Sequence, residues 1–250
     1  MCAGQGELMR TAILIDGGFF VKRFRAIEPQ NAYDAKRAAE LAWRWALAHL
    51  KQEKGKVRCD LYRIFFYDCP PVEKKMQNPI SRRSTDFSKS KEAIFRRELH
   101  ATLRHKRKVA LRLGHLSDAV TWSIKPNPLD DLLKHKKTLD DLREDDVYLN
   151  VRQKGVDMRI GIDISTLTLK KQIDQIVLMA GDADFVPAAK LARREGIDFV
   201  LDPIWANIPP GLVEHIDGMR SVCPKPRRRM TSESASLQPR TESTPLPPAA

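Results

Sequence analysis

Cysteine is scarce in this chain: Cys2, Cys59, Cys69 and Cys223 are the whole set, and no two form a CxxC pair. That spacing argues against a zinc ribbon. Cys59 and Cys69 bracket a strand-like stretch and are expected to be buried, reduced thiols. The six histidines lie apart and form no dyad or zinc cluster, which argues against a ribonuclease built on imidazole acid–base chemistry. There is no GxGxxG and no GxxxxGK(S/T), so cradles for dinucleotides or nucleoside triphosphates find no support. No apolar run approaches the roughly 20 residues of a membrane span. The first apolar run, Ala12 to Ile15, is cut by Asp16 and does not read as a signal peptide. No internal repeat is visible. These absences lead to the expectation of a soluble, cytoplasmic protein without a membrane partner.

What is present is a core and an excess of positive charge. The 250 residues suit one generous α/β domain, or a domain with tails. Hydrophobic residues make up 42%, enough for a sizeable core, and the formal net charge of +12 favours a polyanionic partner, most simply nucleic acid. Part of that excess sits in the run Arg227-Arg228-Arg229 near the end of the chain.

The stretch Gln175 to Phe185 reads QIVLMAGDADF. Its continuous apolar run is typical of a strand buried on both faces of a parallel sheet. Asp182 and Asp184 follow, and then a helical pattern with Pro187 in its first turn and Gly196 at its end. The two acids therefore sit where a strand gives way to a helix, the edge at which open α/β sheets bind ligands. Close carboxylates resist ionising together unless a cation or proton intervenes. One reading is a divalent-metal site; the other is a solvated turn with Asp184 as helix N-cap.

Two further segments favour the metal. Thr11 to Asp16 reads TAILID and is followed by Gly17-Gly18, so a second apolar run delivers an acid to a strand end. Gly155 to Leu169, GVDMRIGIDISTLTL, looks helical, with Asp157 in its first turn and Asp163 further along. A solvated-turn explanation must then hold independently for three segments. Asp68, before Cys69-Pro70-Pro71, is another acid near a strand end, although the prolines suggest a turn.

Elsewhere the pattern predicts a helix from an Asp34 cap to about Lys51, apolar enough to be well buried or to pack on a second subunit. A homo-oligomer is thus open. A strand follows over Val57 to Tyr67. Residues 72–150 read as an insertion: loop, a helix over Ser88 to Lys106 with Ile94, Phe95, Leu99 and Leu103 on one face, then a hairpin of Val109–Leu116 and Val120–Ile124 turning at Ser117-Asp118. Asp130 to Asp146 is acidic and helical in part. A strand at Ile197 to Leu201 and a short helix at Leu212 to Arg220 complete the domain. The basic run Arg104, His105, Lys106, Arg107 and Lys108 is the best nucleic-acid patch, unless it is a solvated face or is masked by the acidic segment. Phe19, among Lys22, Arg23 and Arg25, could stack a base or belong to the core. Residues 223–250 form a basic, Pro- and Ser-rich tail with too little apolar content to fold, and disorder is expected there.

Three motifs in this order, ILIDGGFF, RQKGVDMRIGIDI and MAGDADFVPAAKLARREG, resemble the NYN domain of the LabA-like branch of PIN-like nucleases. The resemblance covers about residues 11–222. It implies a Rossmann-like parallel sheet flanked by helices, an acidic pocket at its carboxyl edge, and metal-dependent cleavage of RNA, single-stranded RNA above all. Carried over by position, the acids are Asp16, Asp157, Asp182 and Asp184, with Asp163 on a further acidic position. Many members have an Asn where this chain has Phe19-Phe20, which is a departure.

Mg²⁺ or Mn²⁺ on carboxylates can activate water, neutralise the phosphate and stabilise the leaving oxygen, without any histidine. On that reading Asp16, Asp157 and Asp182 are direct ligands, and Asp184 is a ligand or orients the water. Asp163, six residues from Asp157, faces elsewhere, behind the ligands or paired with an arginine. Gly161 shares a helix face with Asp157 and would admit a close backbone. Lys154 meets the scissile phosphate or is an ordinary exposed lysine. Two alternatives remain: a non-catalytic RNA-binding domain, and a glycosyltransferase using Asp182-Ala183-Asp184 as a DxD motif. The latter explains neither Asp16 nor Asp157 nor the basic run.

Overall fold

The computed structural model describes residues 8–51, 58–117 and 120–226. Six parallel strands stand side by side in the order Gly218–Met219, Asp198–Asp202, Gln175–Met179, Leu8–Asp16, Arg58–Asp68, Val109–Leu113. The two central apolar runs are buried on both sides, with Ala12 to Ile15 and Ile176 to Met179 all at 0–1% exposure. Alternation along each strand divides them between two cores. Ile13, Ile15, Val177 and Met179 pack with residues of the helices Gly17–Ile27, Ala35–Ala48 and Lys91–Arg104. Ala12, Leu14, Ile176 and Leu178 pack with residues of Val156–Leu169 and Val186–Arg194. The result is the expected α/β architecture of a parallel sheet between helical layers.

The chain starts in the middle of the sheet. It moves outward through Arg58–Asp68 and Val109–Leu113, then returns to the other side of the first strand as Gln175–Met179. Strand order therefore reverses between Leu8–Asp16 and Gln175–Met179. The carboxyl ends of these two strands flank the crevice that such a reversal leaves.

Several helix starts follow their sequence signals. Asp34 accepts from Arg37 N at 2.9 Å, and Ser90 Oγ accepts from Ala93 N at 3.1 Å, each capping the helix behind it. Phe95, Leu99 and Leu103 are buried as expected, but Ile94 turns outward at 43% exposure, because the helix has only one covered face.

The expected hairpin is not formed. Val109–Leu113 joins the sheet beside Arg58–Asp68, while Thr121–Ile124 pairs antiparallel with Val147–Asn150 and His115–Leu116 with Gln153–Lys154. Asp118 of the expected turn lies outside the described residues. Within residues 72–150, then, Lys91–Arg104 and Val109–Leu113 belong to the central layers, and the added material is what flanks them. The helix expected at Leu212–Arg220 is a single turn, Pro210–Val213, followed by the edge strand Gly218–Met219. Cys59 is only partly buried, whereas Cys69 and Cys223 are buried free thiols. The tail expected to be disordered lies, from residue 227 on, outside the described residues. No helix among those described is long and apolar enough to cross a membrane.

Candidate functional site

Asp16 ends the first strand and caps the helix that follows, accepting from Phe19 N at 3.1 Å. Burial lifts its carboxyl from an ordinary 3.8 to about 6; the backbone N–H groups of Phe19 and Gly18 pull it down, and the charges of Asp157 and Asp68 push it up. No cation pairs with it among the described residues. A backbone turn this tight needs glycine: a Cβ on Gly17 would lie 2.6 Å from both a Phe66 ring carbon and the Tyr67 carbonyl oxygen.

Asp157 lies in the first turn of Val156–Leu169, whose N-cap, Gly155, has φ 78. An acid there is ordinarily favoured by the helix dipole. Asp157 is instead raised, first by burial and then by the charges of Asp182 and Asp184. Asp182 caps the short turn Ala183–Phe185, accepting from Asp184 N at 3.2 Å, while the helix Val186–Arg194 has Phe185 at its N-cap without a side-chain bond, so Asp184 is not its cap. Both acids are exposed. Asp16 and Asp182 line one cavity of about 420 Å³ with Phe19, Lys22, Arg23 and Asn207. The four acids thus share one edge of the sheet, where the charge of Asp157 bears on Asp16 and those of Asp182 and Asp184 bear on Asp157. Among the described residues, however, no three His, Cys, Asp or Glu side chains stand close enough to hold a single ion.

Asp163 is placed away from this group. It accepts from the Tyr67 hydroxyl at 2.9 Å and faces Arg112 Nε at 3.3 Å, the arginine pairing that its offset along the helix suggested. A Cβ on Gly161 would meet nothing within 4 Å, so no backbone approaches it. Phe19 is half-buried, with its ring over Gly181, where an added Cβ would come within 2.6 Å of it, while Phe20 and Phe24 belong to the core. Lys154 is exposed two residues ahead of the Val156–Leu169 helix, without an ion-pair partner among the described residues.

The basic run is not brought to the acids. Arg104 to Lys108 connects a helix to the start of Val109–Leu113, which runs parallel to the first strand's neighbour. The run therefore lies at the amino edge of the sheet and the acids at the carboxyl edge. Lys106 pairs with Glu40, and Lys108 reaches the Leu61 carbonyl and Asp60, so the masking acids are these and not the Asp130–Asp146 segment.

Two features were hidden in the sequence. Asp68 at the end of its strand is fully buried, joined to Arg96 and to His100 Nε2 at 2.8 Å. Burial alone would raise its carboxyl, but the His100 hydrogen bond and the Arg96 charge outweigh it and hold the group below its usual range. Asp202, also at a strand end, meets His49 Nε2 at 2.8 Å and accepts from Ile204 N at 2.8 Å. No local spacing links Asp68 to His100 or Asp202 to His49; only the folded sheet does. Lys22 was visible as a cation among aromatics, but nothing marked Asn207.

Comparison with known proteins bears directly on this edge. Residues 131–203 match the NYN domain. NYN domains belong to the PIN-like nuclease superfamily. The match spans Asp157, Asp163, Asp182 and Asp184, while Asp16 joins them only through the sheet. No curated protein matches the chain. A crystal structure of a protein of unknown function from Vibrio parahaemolyticus is similar at 13% identity and a TM-score of 0.40, over 89% of this chain and 97% of that one. A likeness that low carries no argument here.

Proposed function

We propose that this protein is a divalent-metal-dependent ribonuclease of the LabA-like NYN kind, acting on single-stranded RNA in the cytoplasm at the edge formed by Asp16, Asp157, Asp182 and Asp184. The observation that carries the reading is the convergence of uncompensated carboxylates at the strand-order reversal. Asp16 and Asp157 are raised by burial and by neighbouring acids, with no ion-pair partner among the described residues. A fold selected for stability alone has no reason to gather such charges.

The donor chemistry suits Mg²⁺ or Mn²⁺: carboxylate oxygens and no thiolate or imidazole. Mg²⁺ keeps waters and is usually bound through one or two carboxylates together with substrate phosphate. A full protein cage is therefore not required, in keeping with the absence of any three closely grouped ligands among the described residues. Asp16 and Asp157, or Asp157 with Asp182, would hold the ion. When bound, such an ion supplies charge for the phosphate and an acidified water. The chain's own groups orient the reaction. Asp16 is fixed by the Phe19 N–H, and Asp182 by the Asp184 N–H. An ionised carboxylate in this group can accept the proton of the attacking water. Lys22 borders the same cavity and would meet a phosphate there.

The test is cleavage of end-labelled single-stranded RNA with Mn²⁺ and with EDTA. Products with 5′-phosphate ends are expected with Mn²⁺ only, and Asp157→Asn should lower the rate at least a hundredfold. Cleavage in EDTA, or primary products ending in 2′,3′-cyclic phosphate, would overturn the proposal.

A further inference from the structure

We infer that the segments added around the carboxyl edge form a pocket for one unstacked nucleobase of an RNA strand. The inference rests on the nucleic-acid part of the reading above, and not on the metal. A cavity of about 270 Å³ opens among Pro71, Phe87, Leu116, Leu149, Val151 and Gln153. Apart from Gln153 these residues are apolar yet only partly buried, so apolar surface is left facing open space. The volume falls just below the roughly 300 Å³ at which small-molecule sites begin, which suits a flat ring better than a whole nucleotide. Phe87 lies in the wall and is backed by Trp122, with ring centroids 6.2 Å apart. Unstacked bases in RNA recognition are held by such aromatic faces and read by an amide at the edge.

The polar groups point the same way. Arg96 and Glu92 border the cavity paired with each other, and the guanidinium also holds Asp68 while Glu92 also holds Arg25, so neither presents an uncompensated charge to the ring. The Gln153 amide has no partner among the described residues and is exposed at the mouth, free to donate to and accept from a base edge. Gln153 pairs across its short strand with Leu116, which fixes its place. It also connects the pocket to the acids. Its Oε1 lies 3.9 Å from where a Cβ of Gly18 would stand, and that position is 3.4 Å from Asp16 Oδ1. A base seated here belongs to a nucleotide next to the one at Asp16. The segments outside the central layers would then set which base precedes or follows the cut.

Binding without turnover separates this inference from the metal. In EDTA, the parent chain is titrated by fluorescence anisotropy with short single-stranded RNAs that carry one abasic position, moved stepwise along the strand. One position should weaken binding about tenfold more than the others. Val151→Trp, which fills the cavity, should erase that difference. Gln153→Ala, at the exposed mouth where folding is not at stake, should keep the abasic effect but equalise the four bases at that position. Equal losses at every position in the parent, or the same profile in parent and both variants, would overturn the pocket, as would failure to bind RNA at all. A positional profile without any cleavage in Mn²⁺ would keep the pocket and reject the nuclease. Cleavage with no positional profile would do the reverse.

Discussion

Three parallel strands of one sheet end in aspartate, at Asp16, Asp68 and Asp202, and among the described residues two of the three have an arginine or histidine partner. Asp68 is locked to Arg96 and His100, and Asp202 to His49 and the Ile204 N–H. Asp16, at the reversal of strand order, has backbone N–H groups and other acids for company. The same residue at the same topological place is thus structural where a helix brings it a cation or imidazole. Where other acids lie near it and no ion pair forms among the described residues, its carboxyl is raised. What distinguishes the candidate site is not that it is acidic but that its acids are left uncompensated.

The largest effect expected of this comparison is on the paired side. Asp68→Ala leaves Arg96 and His100 without their partner in a buried place and should cost about 3–5 kcal/mol in urea unfolding at neutral pH. A cost under about 1 kcal/mol would remove the contrast. The sign in acid follows from the lowered carboxyl of Asp68: its contribution is present above the unfolded value and is lost as pH falls through the folded one.

The unpaired side should respond in the opposite direction. Asn caps a helix as well as Asp does, so Asp16→Asn keeps the turn and removes the buried charge. A carboxyl raised from 3.8 to about 6 holds its proton longer in the folded chain than in the unfolded one. Stability therefore falls as pH rises from about 4 to 6, by up to about 3 kcal/mol. In EDTA above pH 6 the variant should be the more stable protein by an amount of that order, although its cleavage is lost. A less stable variant would show that Asp16 is compensated by something else.

Asp163 sharpens the comparison inside a single helix. Asp163→Ala should cost about 2 kcal/mol, because the Tyr67 hydroxyl loses its partner, and it should leave the metal dependence of cleavage unchanged. A shift in that dependence would move Asp163 to the site. The smallest effect is expected from Arg104→Gln combined with Arg107→Gln at the opposite edge of the sheet, with cleavage within about twofold of the parent. A large loss would mean that RNA crosses the amino edge as well.

Much of this edge was legible as sequence because the signals were local. TAILID-GG and QIVLMAGD each place an acid after a buried run, and Asp34 and Ser90 lie where caps belong. Val109–Leu113 misled because a short apolar run does not say which strand it pairs with, and it joined the sheet instead of folding back on residues 120–124. Arg104 to Lys108 reads as a nucleic-acid patch because charge is visible in sequence, while the strand direction that sets it at the edge away from the acids is not. The imidazole partners of Asp68 and Asp202 come from 32 and 153 residues away in the chain, one within a helix and one just past a helix end, beyond any motif.

The central claim is tested most directly by thermal melts of the parent and Asp16→Asn across pH 4 to 8, each with EDTA and with Mn²⁺. In EDTA the parent should lose stability between about pH 4 and 6, and the variant should lose less over the same range, because the raised Asp157 remains while Asp16 no longer titrates. Above pH 6, Mn²⁺ should stabilise the parent by about 2.7 kcal/mol at a hundredfold excess over its dissociation constant, and the variant by much less. Equal metal shifts in the two proteins, or the same pH profile in both, would contradict the account.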